Sequence, residues 1–283
     1  MDYISLMQTR RSVRSFSDKT LPVDIEKQVG LLTAAEDFIP DFFDGSSKPV
    51  FLPGEVVKHE KLGTYGVIHN HQGILTGLCG NTDLDILQFG FFMEKVLLTL
   101  RKRDIESCWM GGTYKRGAFR RLLSNGEHSI IPAIFPLGYP ADKIKPVDWL
   151  LRTFAGSNNR KQDYELFFRD SFSTPYTDGQ DETVSLALEA VRSGPSASNK
   201  QPWRIILSKN NQRADFYLHE SPSYNKSLGY PIQMLDMGIA MCHYDLALRQ
   251  RGEKLIWEYR DFPPLNSSGQ IRYIATCSRI IGK

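Results

Sequence analysis

The sequence contains the stretch Pro195-Ser196-Ala197-Ser198-Asn199-Lys200-Gln201-Pro202-Trp203, which combines hydroxyl, carboxamide and indole side chains. It follows an apolar-periodic segment that ends at Gly194, a residue type common at helix ends, and it precedes the strand-like run Arg204–Leu207. We therefore predict a short loop between a helix and a strand. The two prolines restrict the backbone at both ends, and the uncharged polar side chains suit a polar heterocycle. The same residues would also suit a capped turn before a buried tryptophan.

Composition narrows the class of protein. The chain has 283 residues, 41% hydrophobic and 24% charged, which is typical of a soluble globular protein with one or two domains. A net charge of +3 is too small to indicate a nucleic-acid partner. The N-terminus has no signal-peptide pattern and no apolar run is long enough to span a membrane, so we expect a cytoplasmic protein without a membrane partner. Four distant cysteines predict reduced, mostly buried thiols: Cys79, Cys108, Cys242 and Cys277.

A basic cluster follows the first predicted helix, Tyr3–Arg10. The run Arg10-Arg11-Ser12-Val13-Arg14-Ser15-Phe16 has three arginines in five residues, with a serine among them. A guanidinium makes bidentate, charge-assisted bonds to phosphate, so we interpret this run as a candidate anion site. A solvated basic turn is the alternative.

The rest of the first half is predicted from apolar periodicity and turn residues. The long helix Leu84–Asp104 is apolar nearly all round, which predicts a place in the core and a partner for Glu94 within it. His69 and His71 have no third ligand at a plausible spacing, so we predict turn residues and no metal site. The other predicted elements are a helix over Leu21–Phe38, a loop over Asp41–Glu60, and strands over Thr64–Asn70, Gly73–Leu78 and Ser129–Tyr139.

Two further segments of the first half are candidate binding segments. Cys108-Trp109-Met110-Gly111-Gly112-Thr113 is a small-residue loop whose paired glycines would let backbone amides approach a ligand, or it is a plain tight turn. Arg160 and Lys161 open a predicted short helix that runs to Phe168, and its N-terminus could hold a phosphate. A predicted short helix carries Lys115, Arg116, Arg120 and Arg121, which could attract a dinucleotide phosphate but are interpreted as a solvated face.

The second half repeats the order of elements of the first. Gly238 aligns on Gly90 inside the two long predicted helices. We infer two copies of one fold unit, residues 1–170 and 171–283. The arginine and glycine segments lie in the first copy and the Pro195–Trp203 loop in the second. The predicted elements of the second copy are helices over Asp181–Arg192 and Ile232–Arg251 and strands over Trp203–Leu207, Ala214–His219 and Ile271–Cys277.

Taken together, these motifs resemble the FMN-dependent nitroreductase superfamily, and in particular its Thermotoga-type branch in which two halves are fused in one chain. The resemblance implies an α+β, nitroreductase-like fold, internally duplicated as a pseudo-dimer, with a central sheet flanked by helices in each half. It covers nearly the whole chain and is carried by the runs Arg10–Phe16, Phe89–Lys95, Ser107–Thr113, Arg160–Phe168, Pro195–Trp203 and Gly238–His243.

The resemblance also implies a role for each segment. Arg10, Arg11 and Ser12 would hold the FMN phosphate and ribityl oxygens, and Arg160 and Lys161 would close the phosphate end. Arg14 would lie near the pyrimidine edge of the flavin, and the Gly111 amide would point towards N5. The remaining implied ligands belong to the two loops: Trp109, Met110 and Gly112 in one, and Pro195, Ser196, Ala197, Ser198, Asn199 and Gln201 in the other, from the opposite half.

The implied activity is that of an NAD(P)H-dependent oxidoreductase. Hydride would pass from NAD(P)H to the flavin and then to a small acceptor, such as a nitroaromatic or a quinone, in ping-pong turnover without a catalytic side chain or metal. One chain would complete one flavin site, which predicts a monomer with one FMN and no nucleic-acid partner. A flavin-binding carrier or sensor without efficient turnover, and a relic with a decayed site, are the alternatives.

Overall fold

The computed structural model describes residues 2–34, 39–43, 47–57, 67–112, 114–123, 129–142, 159–177, 181–221, 229–260 and 270–280. These residues fall into two compact units. The first unit lies within Arg11–Phe38 and Gly45–Asn158, and the second within Met1–Arg10, Ile39–Asp44 and Asn159–Lys283. This division by contacts differs from the two copies predicted from sequence, which remain a prediction about the duplication.

The first unit is built on a four-stranded antiparallel sheet with the order β1-β2-β4-β3. Its long helix α4 begins at Asp83 because Thr82 and Asp85 form a capping box. Most of α4 is buried, as its continuous apolar character predicts. The elements are α2 (Ile25–Thr33), β1 (Lys48–Pro53), α3 (Gly54–Val57), β2 (Gly73–Leu78), α4 (Asp83–Arg101), β3 (Glu106–Ser107), α5 (Arg116–Leu123) and β4 (Ile134–Gly138).

The second unit contains a six-stranded sheet with the order β6-β5-β7-β8-β10-β9. β5 pairs with β7 in parallel, and the other pairs are antiparallel. Helices α1 and α7 pack on the buried helix α8. The elements are α1 (Tyr3–Thr9), α6 (Asp163–Leu166), β5 (Phe167–Arg169), β6 (Ser171–Pro175), α7 (Glu182–Ser193), β7 (Trp203–Leu207), β8 (Arg213–His219), α8 (Gln233–Gln250), β9 (Lys254–Glu258) and β10 (Ile271–Ile280).

The two units share one pattern of strand pairing. The order β1-β2-β4-β3 in the first unit is repeated as β7-β8-β10-β9 in the second, and every pair in both is antiparallel. In each unit a tryptophan near the β3 or β9 strand donates its indole N–H to a buried carboxylate of the long helix. Trp109 donates to Glu94 at 2.7 Å, and Trp257 donates to Asp245 at 2.9 Å. The partner predicted for Glu94 is thus confirmed.

The repeat corrects two predictions. The counterpart of β7 is β1, which lies inside the segment Asp41–Glu60 that we predicted as a loop. It is an edge strand that contains two prolines and has one buried residue, so its sequence carries little strand signal. The described part of the predicted strand Thr64–Asn70 is not a strand, because its one sheet contact is the isolated bridge between His69 and Ser15. The remainder of that segment lies outside the described residues.

Other predictions differ in their bounds or are confirmed. The predicted helix from Arg160 to Phe168 was wrong at both ends, since α6 begins at Asp163 and Phe167 starts strand β5. A four-residue helix has little dipole to offer a phosphate. The predicted strand Ser129–Tyr139 is regular only over Ile134–Gly138. All four cysteines are buried and free, as predicted. No helix in the described ranges has both the length and the apolar content that crossing a bilayer requires.

A matched pair of glycines tests the packing of the first unit. A Cβ at Gly77 in β2 would lie 2.7 Å from the Lys48 carbonyl oxygen and 3.0 Å from the Phe89 ring, whereas one at Gly30 in α2 would meet nothing within 4 Å. Gly77→Ala should therefore lower the free energy of unfolding by about 1–3 kcal/mol. Gly30→Ala should raise it by about 0.5–1 kcal/mol. Chemical denaturation measures both, and a neutral Gly77→Ala would contradict the β1–β2 pairing.

Candidate functional site

The loop between α7 and β7 has a strained backbone. Ser198, Asn199 and Gln201 have φ values of 49°, 53° and 48°, in the left-handed region that residues other than glycine seldom adopt. Gln201 also precedes Pro202, which favours extended backbone at that position. Each such residue costs about 1–3 kcal/mol and persists only where its surroundings impose the conformation. Backbone strain of this kind is concentrated at functional sites, so this loop is the leading candidate.

The side chain of Gln201 holds the loop from within. Gln201 is 1% exposed, and its Oε1 accepts a hydrogen bond from the Lys161 backbone N–H at 2.9 Å. Its Nε2 donates to the carbonyl oxygens of Asn159 and Asn199, both at 3.2 Å. Its own backbone N–H donates to Ser196 Oγ at 2.9 Å. One carboxamide thus joins the loop to the segment that carries Arg160 and Lys161.

Arg160 caps the C-terminal end of α7. Its Nη1 donates to the Gly194 carbonyl at 2.8 Å and to Asn199 Oδ1 at 3.0 Å, and its Nη2 donates to the Ser193 carbonyl at 2.9 Å. Burial, followed by the charge of Arg10, lowers the pKa of Arg160 to about 10. Three of the five guanidinium donors are used in this way, which leaves two for a ligand among the described contacts.

A group of cationic side chains surrounds the loop within the second unit. Burial and then Arg204 lower the pKa of Lys161, and burial followed by Arg204 and Lys161 lowers that of His219. Arg204 is 8% exposed and donates to the carbonyls of Gln201 and Trp203, at 3.1 and 2.7 Å. Arg10 Nε is buried and has no hydrogen-bond partner among the described atoms. Among the described residues, Glu165 is the one carboxylate that acts on Lys161 and Arg204. This part of the structure has an excess of positive charge.

A buried carboxyl group contacts the loop from α8. Asp236 Oδ1 accepts a hydrogen bond from the Ala197 backbone N–H at 2.9 Å. Asp236 lies in the apolar run Met234–Met237 and is 2% exposed. Burial raises its pKa to about 8, and the Ala197 amide opposes the shift. The loop is therefore fixed on one side by Gln201 and on the other by Asp236.

The glycine loop of the first unit is fixed by its tryptophan. Trp109 packs edge-on against Phe135, with ring centroids 4.6 Å apart, and donates to Glu94, which is fully buried. Met110 forms an isolated bridge with Ile134, the first residue of β4. Gly111 is partly exposed and Gly112 is exposed, so their backbone is accessible next to an anchored segment.

The arginine run lies beside the same loop in the first unit. The Val13 N–H donates to the Ser107 carbonyl at 3.0 Å, directly before the glycine loop, and the His69 N–H donates to the Arg14 carbonyl at 2.7 Å. Arg11 is exposed, and Ser12 and Arg14 are partly exposed. Neither arginine pairs with a carboxylate among the residues that the structure describes. The solvated turn predicted as the alternative would have the same exposure, so it stays open here.

The structure thus places the predicted site residues in two sets. Arg10, Arg160, Lys161 and the loop Pro195–Gln201 come together in the second unit, and Arg11, Ser12, Arg14 and Trp109–Gly112 come together in the first. That both sets bind one ligand remains a prediction. Within the described ranges, no group of three or more His, Cys, Asp or Glu side chains could hold a metal.

Sequence reasoning missed three residues that lie with the set in the second unit: Arg204, His219 and Asp236. Asp236 could have been identified, because a carboxylate within an apolar helix run is seldom buried unless it has a partner. Arg204 directly follows the quoted loop and could have been included with it. For His219 the sequence gave no signal, since its neighbours come from pairing between strands.

Comparison with known proteins agrees with this architecture. The model of a family described as "Putative TM nitroreductase" matches residues 2–248. A putative nitroreductase from Thermotoga maritima MSB8 is 16% identical, with a TM-score of 0.60, and the match covers 98% of this chain and 93% of that one. No curated protein matches the chain. At that identity the Thermotoga structure shows the fold alone, and it confirms the predicted nitroreductase-like α+β fold.

Shorter structures match about half of the chain. A nitroreductase family protein from Clostridium novyi NT is 15% identical, with a TM-score of 0.41, over 51% of this chain and 90% of that one. An FMN-dependent nitroreductase from Clostridium difficile R20291 is 14% identical, with a TM-score of 0.40, over 50% of this chain and 90% of that one.

Gln201→Glu tests the network that holds the loop. The substitution keeps the shape but replaces the NH₂ donor with an oxygen that faces the carbonyls of Asn159 and Asn199. We expect a loss of about 1–3 kcal/mol in the free energy of unfolding, because buried acceptors lose their donor. The same change at Gln212, in the partly exposed turn before β8, should change it by less than about 0.5 kcal/mol. Denaturant titration of the flavin-free protein compares the two variants, and equal effects would contradict the network.

Proposed function

We propose that this chain, which belongs to the family described as "Putative TM nitroreductase", is an FMN-dependent oxidoreductase that uses NAD(P)H to reduce a small acceptor. Nitroaromatic compounds and quinones are the acceptor classes proposed. When bound, FMN supplies the hydride chemistry, so the protein needs to bind, orient and shield the cofactor and does not need a catalytic side chain.

The strained loop with its surplus of cations is the observation that carries this proposal. Arg10, Lys161 and Arg204 carry positive charge near the uncharged hydrogen-bonding side chains of Ser196, Ser198 and Asn199. In the described part of the chain, Glu165 is the carboxylate that acts against Lys161 and Arg204. An organic phosphate with a polar ring has this division of charge. The buried Nε of Arg10, which has no hydrogen-bond partner in the described part of the chain, is a donor that such a phosphate would satisfy. The residues present therefore fit FMN.

The proposed contributions follow from what each side chain already binds. Arg10 and Lys161 have donors to give a phosphate, while Arg160 mainly fixes the α7 end and the loop and has two donors to spare. Arg14 would favour flavin reduction through its positive charge. The other proposed FMN ligands are Arg11, Ser12, Trp109, Met110, Gly111, Gly112, Pro195, Ser196, Ala197, Ser198, Asn199 and Gln201.

Optical spectroscopy of the purified protein tests the function directly. We expect flavin absorbance, bleaching by NADH or NADPH under anaerobic conditions, and recovery when a quinone or nitroaromatic is added. Flavin released by heat should approach one FMN per chain. Bound flavin that NAD(P)H does not bleach would instead support a carrier or sensor. A protein that binds no flavin would contradict the proposal.

Arg11→Ala tests the arginine run as a phosphate site. A charge-assisted hydrogen bond contributes about 1.5–3 kcal/mol, so the loss should weaken FMN binding by about tenfold or more without unfolding the protein. Arg120→Ala, on the exposed face of α5, is the matched control and should leave the affinity unchanged. Fluorescence titration measures both, and an unchanged affinity of Arg11→Ala would mean that the run is a solvated turn.

A further inference from the structure

Asp236 differs from the other buried acids of the second unit in how it is paired. Asp245, on the same helix, accepts from Arg249 and Trp257, and Asp215 accepts from Arg213 and Thr276. Asp236 accepts only from the Ala197 amide, and its Oδ2 is buried with no hydrogen-bond partner among the described atoms. Gln233, one turn earlier on the same helix, has a buried Nε2 that is likewise unpaired, so these two atoms do not satisfy each other.

No charged group in the described part of the chain compensates an ionised Asp236. A buried carboxylate with one hydrogen bond and no cation is far more costly than a neutral carboxyl group in the same place. α8 packs against α1, α7, β7, β8 and β9. No titratable group on these elements shifts the pKa of Asp236. Those groups are Tyr3 on α1, Glu182, Glu189 and Arg192 on α7, Arg204 on β7, Arg213, Asp215, Tyr217 and His219 on β8, Lys254 and Glu258 on β9, and Cys242, His243, Tyr244, Asp245 and Arg249 on α8 itself.

We propose that Asp236 is a positioning residue for the loop Pro195–Pro202, which it holds through the Ala197 amide while it keeps its proton and releases when the proton is lost. The inference rests on the proposed function in one respect, since the loop is taken there to bind flavin. It adds that flavin affinity is linked to the protonation of a group that need not touch the flavin.

The loop is the part that yields when Asp236 ionises. Its left-handed residues Ser198, Asn199 and Gln201 store strain that its contacts must offset, so the loss of the Ala197 contact favours a relaxed loop. An open loop also exposes the carboxylate to water, where its charge costs little.

The direction of the pH effect follows from the two states. Burial raises the pKa of Asp236 from 3.8 to about 8 when the loop is closed, whereas an exposed carboxyl group titrates near its ordinary value. Between these two pH values the closed state binds more protons than the open state, so a rise in pH shifts the equilibrium towards the open state. Above about pH 8 a further rise in pH has no additional effect. The pKa of His219 is lowered from 6.5, so its titration lies below the upper part of this range.

FMN titration of the full chain between about pH 6 and pH 9 tests the linkage. We expect the wild-type affinity to fall by about tenfold or more and to level off above about pH 8, since one pH unit of linked proton binding corresponds to tenfold. Asp236→Asn keeps an acceptor for Ala197 and cannot ionise, so its affinity should match the wild type at low pH and lack this fall. Asp245→Asn, equally buried on the same helix, should retain it. The ionisation of FMN itself is the same in the experiments with all variants, so its effect cancels when the variants are compared.

Hydrogen exchange of the flavin-free protein supplies a second readout. After correction for the intrinsic exchange rate, protection of the segment 194–203 should fall with pH in the wild type, stay constant in Asp236→Asn and be low at every pH in Asp236→Ala. An identical pH dependence of affinity and protection in the wild type and Asp236→Asn would overturn the proposal. If the wild type binds no FMN at any pH, the proposed function and the flavin part of this inference both fail. The exchange data would still decide whether Asp236 holds the loop.

Discussion

The left-handed backbone of the loop between α7 and β7 is the constraint on which the candidate site depends. Three residues other than glycine adopt positive φ within four positions, and of these only Asn199 is of a type that favours it. The conformation is imposed from outside, by the Gln201 carboxamide, the Arg160 guanidinium and the Asp236 carboxyl group. These three come from the loop itself, from the segment before α6 and from α8. The loop therefore has its shape only once the second unit has folded.

The same contacts distribute charge around the loop. Arg160 donates most of its hydrogen bonds to carbonyl groups at the end of α7, and Arg204 donates to carbonyl groups of the loop. Cations satisfied by neutral acceptors keep their charge, whereas ion pairs would cancel it. A fold that buries guanidinium groups in this way accepts a desolvation cost, and a bound anion would offset that cost. The side chains that support the loop are thus also those proposed to bind the ligand.

The two units have the same four-strand pairing but differ in the segments next to it. Both units pair four strands in the same antiparallel order, and both fix a tryptophan to a buried acid of the long helix. In the first unit Trp109 is followed by two glycines and an accessible backbone, but Trp257 lies inside the regular strand β9. Each unit keeps this strand pairing because the sheet buries the long helix, while the segments beside the sheet differ.

The sequence by itself determined the long helices, most of the inner strands, the family and most of the segments of the candidate site. Apolar periodicity placed α4, α7 and α8 within a few residues, since burial of a helix leaves its period in the sequence. Periodicity could not find β1, because an edge strand with prolines carries little of that signal. Nor could it tell that Phe167 pairs beside Ile205 as a strand, which depends on a parallel contact distant in sequence. Only the tertiary structure decided that Arg160 donates mostly to carbonyls, that Arg204 and His219 lie beside each other near the loop, and that Asp236 has one hydrogen-bond partner among the described atoms. Hydrogen bonding and desolvation depend on which groups meet in space, and a linear pattern does not contain that information.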